Sequence, residues 1–262
     1  MNGLDTAVIL AGGLGTRMRD GTNSGPKPML NIGAKPIIWH LIQYFSFYGI
    51  HNFIICAGYK SDVIKDYFAK YQTHNQDFTI KITSESTTVT FYNDENVMPL
   101  SITVIDTGED TPTGGRVKQV SELIPHQKDF LCTYGDGLSD INIHLLYNSF
   151  RTNNKLAQVC AYKPNIQFGI LDIDESGQVK KFEEKPKLDS WINAGFFIFN
   201  SQIFDHLKVD SVLETDLLVN LATMGQLSAY KHDGFWQSMD TPKERSYLNS
   251  LWLKNRAPWK VW

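Results

Sequence analysis

Three glycines crowd one short stretch, Gly12-Gly13-Leu14-Gly15, directly after an apolar run over residues 6–10. Glycine lets a backbone approach a ligand closely and turn its N–H groups towards an anion. Arg17 adds a fixed cation to the same segment, and Lys27, clasped between Pro26 and Pro28, adds another. The glycines by themselves fit a tight strand-to-helix turn as well as a ligand loop. With the two cations, the set reads as a cradle for a triphosphate. It is not the dinucleotide fingerprint, because Met18 stands where the third glycine of G-x-G-x-x-G belongs and Gly58 follows the second strand in place of an acidic residue. Nor is it a P-loop, since no Gly-Lys-Ser/Thr follows.

Asp136 lies between Gly135 and Gly137 after a fully apolar run. Asp-Gly is a common hairpin signal. It also leaves a carboxylate uncrowded at a strand end, and Mg²⁺ takes one or two carboxylates together with phosphate oxygens and water. Asp240, directly before Thr241, offers a second carboxylate, although an acid near a helix start is also favoured by the helix dipole alone. Thr113-Gly114-Gly115-Arg116 is a second glycine-rich step into a helix, whose N–H groups can meet a phosphate or a base edge while Arg116 donates to a carbonyl oxygen. In Glu184-Lys185-Pro186, Lys185 is either a second phosphate ligand or a solvated turn residue. The seven histidines show no H-x-x-x-H or Cys/His grouping, and no G-x-S-x-G elbow is present, so neither a zinc site nor that hydrolase class is expected.

These groups need a frame. Apolar, β-branched runs at 6–10, 52–57, 78–83, 101–105 and 130–134 read as strands. Between them, 36–48, 61–70 and 116–124 read as helices, the first with Pro36 at its first position and Gly49 beyond its end. Strands alternating with helices predict an α/β fold with a mainly parallel sheet, whose ligands bind beyond the carboxyl ends of the strands. After Asp136 the rhythm changes: strand-like runs at 155–162, 168–173, 179–183 and 192–199 with short turns predict a mixed or antiparallel extension. Thr241-Pro242-Lys243-Glu244 has capping-box spacing and should open a helix reaching about Leu253. Residues 84–100 are polar, rich in Thr and Asn, and without clear periodicity; a loop or an insertion that orders on a partner is expected there.

At 262 residues and 42% hydrophobic, the chain can bury a real core, and its length is compatible with a single domain. A first part over about 1–140 and a second part, carrying the β extension, over about 141–262 are expected within it. No apolar run reaches the roughly 18 residues of a membrane helix. Residues 1–5 lack a signal peptide's basic start. The net charge of −3 argues against a general nucleic-acid binder. Cys56, Cys132 and Cys160, an odd count in apolar stretches, suit buried free thiols in a reducing compartment, so a cytoplasmic location is expected. Trp252, Trp259 and Trp262 put large apolar area near one another, as helix packing or as a subunit contact.

Taken together, Leu10-Ala-Gly-Gly-Leu-Gly-Thr-Arg17, Pro26-Lys-Pro-Met29, Asp106-Thr-Gly-Glu109, Thr113-Gly-Gly-Arg116, Tyr134-Gly-Asp-Gly137, Glu184-Lys-Pro186, Trp191-Ile-Asn193, Phe235-Trp-Gln237, Met239-Asp-Thr241 and Ala257-Pro-Trp-Lys-Val-Trp262 resemble the sugar-phosphate nucleotidyltransferases. The likeness covers nearly the whole chain and is nearest to the cytidylyl branch, to which the Thr113-Gly-Gly-Arg116 step and the closing Trp259-Lys-Val-Trp262 look specific; the thymidylyl branch's Gln-Ala-x-x-Gly-Leu-Ala element is absent. It implies a Rossmann-like core with a smaller β extension, and the reaction of CTP with α-D-glucose 1-phosphate to give CDP-glucose and pyrophosphate. By position it implies that Leu10, Ala11, Gly12, Gly13, Leu14, Gly15, Thr16, Arg17 and Lys27 hold the triphosphate. Thr111, Gly115, Arg116 and Gly135 would contact the nucleotide, Lys185 and Asn193 would face the sugar phosphate, and Asp136 with Asp240 would bind Mg²⁺. It further implies homo-oligomers, hexamers among them. Residues 19–25 and 84–100 match less well and carry no transferred contacts.

In such a reaction the sugar phosphate attacks the α-phosphorus in line with departing pyrophosphate, and positioning plus charge neutralisation supply most of the acceleration. Lys27, Arg17 and Asp136 are therefore the expected catalytic residues, with Lys27 as the α-phosphate electrophile. Two other readings stay open: the same chemistry with a different sugar 1-phosphate or nucleotide, and a non-catalytic nucleotide-sensing module. The latter usually loses its metal carboxylates or its lysine, and both are present here.

Overall fold

The computed structural model describes residues 3–13, 15, 25–92, 99–166 and 168–262. Strand β1 (Thr6–Ala11) is buried along its whole length. A 3₁₀ turn at Lys27–Met29 leads to the short antiparallel pair β2 (Asn31–Ile32) and β3 (Lys35–Pro36). Helix α1 (Ile37–Phe47) starts one residue later than expected, because Pro36 keeps extended backbone paired with Asn31 and so serves as the N-cap. Gly49, at φ 86°, ends it in the left-handed conformation that glycine adopts without a steric penalty. Then come β4 (Asn52–Ala57), α2 (Ser61–Ala69) and the short α3 (Tyr71–Asn75).

The next segment corrects two expectations. β5 (Phe78–Ile82) does not join the main sheet, and residues 84–100 are not irregular throughout. β6 (Thr87–Phe91) pairs antiparallel with β5 to make a separate hairpin. Its residues are largely exposed, so no apolar alternation was needed to fix it, and the β-branched Thr-Thr-Val-Thr run carries the strand propensity. β7 (Ser101–Asp106) returns to the main sheet. Helix α4 (Thr113–Gln119) begins three residues before the expected 116, with Gly114 and Gly115 inside its first turn, and a separate 3₁₀ turn follows at Ser121–Leu123.

β8 (Asp129–Tyr134) and β9 (Gly137–Ser139) flank Asp136. An unexpected helix, α5 (Ile143–Asn153), is capped by Asn142, whose side chain accepts from Leu145 N at 3.1 Å. β10 (Ala157–Tyr162), β11 (Ile170–Ile173), β12 (Val179–Glu183) and β13 (Ile192–Asn200) fall close to the expected strands. A π-helical turn at Leu213–Leu218, α6 (Val219–Thr223), β14 (Leu227–His232) and β15 (Trp236–Ser238) had no clear signature. Helix α7 (Pro242–Leu253) carries the expected capping box between Thr241 and Glu244.

Seven strands form the main sheet in the order β14-β10-β13-β8-β1-β4-β7. Only β13 runs against the rest. The α/β class with a mainly parallel sheet is as expected. The β extension is divided: β10, β13 and β14 widen the main sheet, whereas β11 and β12 form a hairpin of their own. Strand alternation splits the core between the two faces. Ile9, Ile55, Leu131, Phe196 and Ile198 pack on the side of Ile37, Leu41, Leu146 and Trp259. Val8, Ile54, Cys56, Cys132, Phe197 and Phe199 pack with Val117, Leu213 and Leu217. All three cysteines are buried and unpaired. Trp259 is fully buried, stacks on Phe235, and donates from Nε1 to His40 Nδ1 at 3.3 Å, while the partly buried Trp252 and Trp262 pack against this core. Among the described residues no helix is long and apolar enough to cross a membrane.

Candidate active site

From β1 the chain steps outward to β4 and β7, then crosses to β8 on the opposite side of β1. Loops leaving β1 and β8 therefore diverge, and ligand crevices form at such a switch point, beyond the carboxyl ends of the strands. A cavity of about 700 Å³ opens there. It is within the usual size of ligand sites. Leu10, Ala11, Gly12, Gly13 and Gly15 line it from β1 and its loop, Thr111, Thr113 and Arg116 from the approach to α4, and Tyr134 and Asp136 from β8. Because β13 is antiparallel, its first residues reach the same rim, which is how Asn193 and Gly195 arrive.

Lys27 sits at the centre. Its ammonium is 2.6 Å from Asp136 Oδ2 and 2.6 Å from Asp240 Oδ1. Burial disfavours the charged ammonium, but Asp136 and Asp240 outweigh that cost and raise its pKa above the ordinary lysine value. Lys27 is thus a fixed cation at neutral pH. Residues 109 and 213 positions apart from it supply the two carboxylates, so the convergence is a product of the fold. Met239 N donates to Asp136 O at 2.8 Å, tying the two acidic segments together. Glu244 Oε2 accepts from both Asp240 N and Thr241 N, at 2.7 and 2.8 Å, so the cap of α7 fixes the backbone of Asp240.

Two carboxylates aimed at one point suit a cation. Among the described residues no group of three or more His, Cys, Asp or Glu gathers anywhere, so the donor set is poor in protein ligands. That matches Mg²⁺, which keeps waters and completes its shell with phosphate oxygens, and it does not match a closed zinc site.

Arg116, only 4% exposed, has the carbonyl partners expected of it, but they belong to this chain. Nη1 donates to Ala57 O at 3.1 Å, Thr107 Oγ1 at 2.6 Å and Gly108 O at 2.8 Å. Nη2 donates to Gly12 O at 3.1 Å and Glu109 O at 3.0 Å. One guanidinium thereby joins the loops after β1, β4 and β7, and burial lowers its pKa. Thr111 Oγ1 donates to Thr107 O within the same knot.

The remaining expected residues divide. Asn193 lines the cavity and accepts Gly195 N at 2.8 Å. Gly135 serves the frame: its N–H donates to Leu10 O at 2.9 Å, and a Cβ there would lie 3.0 Å from the Pro28 ring. Gly115 packs α4 against residues 209–211, donating to Ser211 O at 2.9 Å, and a Cβ would collide with Val209 O. Lys185 is exposed, at φ 47° and 3.2 Å from Glu184, and is not brought to the cavity wall. Leu14, Thr16 and Arg17 lie outside the described residues. Sequence reasoning missed Tyr134 as a wall, Glu214 behind it, and Trp236, whose Nε1 donates to Ala194 O at 2.7 Å. Tyr134 and Trp236 stood inside quoted motifs; nothing marked Glu214.

The family described as "Nucleotidyl transferase" matches residues 6–250. The chain belongs to this family. It is 45% identical over 258 residues to glucose-1-phosphate cytidylyltransferase of Salmonella typhi, covering 98% of this chain and 99% of that one. A Bacillus subtilis protein described as a probable glucose-1-phosphate cytidylyltransferase is 40% identical over 258 residues, with the same coverage. Among solved structures, HddC from Yersinia pseudotuberculosis shares the fold, with a TM-score of 0.68 at 24% identity over 94% of this chain and 99% of that one.

Proposed function

We propose that this protein transfers a cytidylyl group from CTP to α-D-glucose 1-phosphate, giving CDP-glucose and pyrophosphate. The observation that carries the reading is the meeting of Lys27, Asp136 and Asp240 at the mouth of a glycine-lined crevice. Likeness to the cytidylyltransferases over nearly the full length supports the choice of substrates.

A phosphate oxygen of the sugar phosphate attacks the α-phosphorus, the bond from that phosphorus to the bridging oxygen breaks, and pyrophosphate leaves with the electron pair. The attacking oxygen is already ionised, so no proton transfer is needed. The protein's work is to bring two polyanions together and to neutralise charge as it shifts. The loop over residues 10–15 offers backbone N–H groups to the triphosphate. Arg17 and Lys27 supply positive charge, Lys27 at the α-phosphate. Thr111, Gly115, Arg116 and Gly135 shape the nucleotide side, the last three through the backbone they hold. Asn193 faces the sugar phosphate; Lys185, exposed on the turn after β12 and off the cavity wall, is assigned to the sugar phosphate on the family likeness alone. Asp136 and Asp240 would hold Mg²⁺, which when bound offsets phosphate charge.

Nucleotide handling falls to about 1–140 and sugar-phosphate handling to about 141–262 of one domain. A backbone carbonyl that accepts from the 4-amino group of cytosine would be left unpaired by uracil, and a lost buried match costs about 1–3 kcal/mol. We place the reaction in the cytoplasm, in line with three buried free thiols. Self-association, including hexamers, is supported by the apolar residues that both free hairpins expose, among them Ile82 at 77% and Phe182 at 61%. A nucleotide-sensing module without activity would have no use for Lys27 together with both carboxylates.

The test pairs each nucleoside triphosphate with a panel of sugar 1-phosphates in Mg²⁺ and follows pyrophosphate release and product mass. CDP-glucose as the dominant product is expected. A dominant product with another base or sugar replaces the substrate assignment, and no product from any pair overturns the activity.

A further inference from the structure

We propose that Glu214 is a positioning residue for the sugar-phosphate end of the cavity, acting through Tyr134; the inference rests on the nucleotidyl-transfer reading above. Tyr134 is the last residue of β8, two before Asp136, and lines the cavity. Its hydroxyl donates to Glu214 Oε1. The other carboxylate oxygen accepts from Thr113 Oγ1 at 2.7 Å, and Thr113 in turn accepts from Leu213 N at 2.9 Å. Both oxygens are therefore tied to residues that line the cavity, while Glu214 stands behind them and touches no part of it.

The two ties lead to different sides. Thr113 opens α4, beside Thr111 and Arg116. Tyr134 lies against β13: a Cβ at Gly195 would overlap its ring, and Gly195, at φ 77°, is held by Asn193 Oδ1. The ring also meets Phe197 edge-to-face, with centroids 5.8 Å apart. With its ring trapped and its hydroxyl anchored, Tyr134 presents one fixed face beside Asn193.

Packing does not require an acid here, since Leu213 and Leu217 fill the same turn with apolar side chains. Desolvating a carboxylate is costly unless its hydrogen bonds compensate, and charge-assisted bonds of this kind are the strong ones. The turn itself is π-helical, a rare geometry that recurs at functional positions.

The experiment measures steady-state constants and melting temperature for the wild type, Glu214→Gln, Tyr134→Phe and the double variant. The sugar 1-phosphate used is whichever one the wild type turns over best. Failure of glucose 1-phosphate as a substrate then counts against the functional reading and not against Glu214. Glu214→Gln, whose one remaining acceptor oxygen can keep the bond from Thr113, is expected to raise KM for the sugar phosphate about tenfold, the worth of one lost hydrogen bond to a charged group, and to leave KM for CTP within about twofold. Tyr134→Phe should do the same, and the double variant should be no worse than the poorer single one, because both break one link. Unchanged sugar-phosphate KM in either single variant, additive losses in the double, or equal rises in both KM values with a fallen melting temperature would each overturn the proposal. If Glu214→Gln does not fold, Tyr134→Phe carries the same split between the two KM values.

Discussion

Arg116 and Gly12 are matched to each other. Nη2 of Arg116 donates to the Gly12 carbonyl at 3.1 Å, and the guanidinium fills the space that any side chain at position 12 would need. Gly58 faces the same guanidinium in the same way, so two strand ends are built around one cation. Gly12→Ala should push Arg116 off its carbonyls and open the crevice floor, lowering kcat/KM about 100-fold, the scale seen for a small misplacement of positioned groups. Arg116→Lys keeps the charge but loses the fork, and should lower the unfolding free energy by about 2–3 kcal/mol through carbonyls left unpaired. Denaturant titration and steady-state kinetics on the two variants check both statements.

Lys27 occupies the point at which Asp136 and Asp240 converge, so it competes there with any divalent cation. Lys27→Met should cut pyrophosphate release at least about 100-fold, as loss of a charge-stabilising donor does. The same variant should bind Mn²⁺, used as a spectroscopic probe in the absence of nucleotide, more tightly than the wild type. Asp136→Asn should bind it more weakly. Electron paramagnetic resonance titration reads the order directly; Lys27→Met binding more weakly than wild type would contradict a shared position.

Glu244 accepts from the backbone N–H groups of Asp240 and Thr241 while its own N–H donates to Thr241 Oγ1 at 3.3 Å. Glu244→Ala removes one half of a capping box, a change worth about 1–2 kcal/mol. Because Asp240 loses its backbone anchor as well, activity should fall by more than the stability loss accounts for. A urea midpoint and kcat/KM measured on one preparation separate the two effects.

His40 is buried beneath Trp259, and burial lowers its pKa to about 4. An indole N–H can only donate, so His40 Nδ1 accepts from Trp259 and Nε2 carries the proton donated to Ile32 O at 2.9 Å. The unfolded chain takes up a proton at its ordinary 6.5, before the folded one does. Stability is therefore full above that pH and falls as the pH drops towards 4, by roughly 3 kcal/mol at the limit. His40→Gln reproduces both hydrogen bonds without titrating. Its urea midpoint should fall less steeply between pH 6.5 and 4 than that of the wild type.

Much of this was legible in the residues. The loop after β1, Lys27, Asp136, Asp240 and the α7 cap were each visible because local chemistry marks them: glycines, flanking prolines, and a Thr-x-x-Glu spacing. Six of the seven strands of the main sheet followed from apolar runs, and β14 did not. What stayed hidden depends on pairing at a distance. Glu214 meets Tyr134 across 80 positions with no motif to announce it. Arg116 was recognised as a donor to carbonyls, yet its five partners come from three separate strand ends. β6 escaped because an exposed hairpin needs no apolar rhythm, and α5 because a polar start capped by Asn142 resembles a loop.

The packing of Trp259 against His40, and the place of Asp240 ahead of α7, bear on how the molecule is made. A nascent chain that has emerged as far as Ser238 already contains every strand of the main sheet, yet Lys27 has only one of its acidic partners and the groove beside His40 stands open to water. Ligand capture must wait until translation has passed both residues, and until then the apolar face around Ile37 and Leu41 is without its largest covering side chain. Stalled ribosomes would thus display an inert, sticky intermediate, a natural client for chaperones.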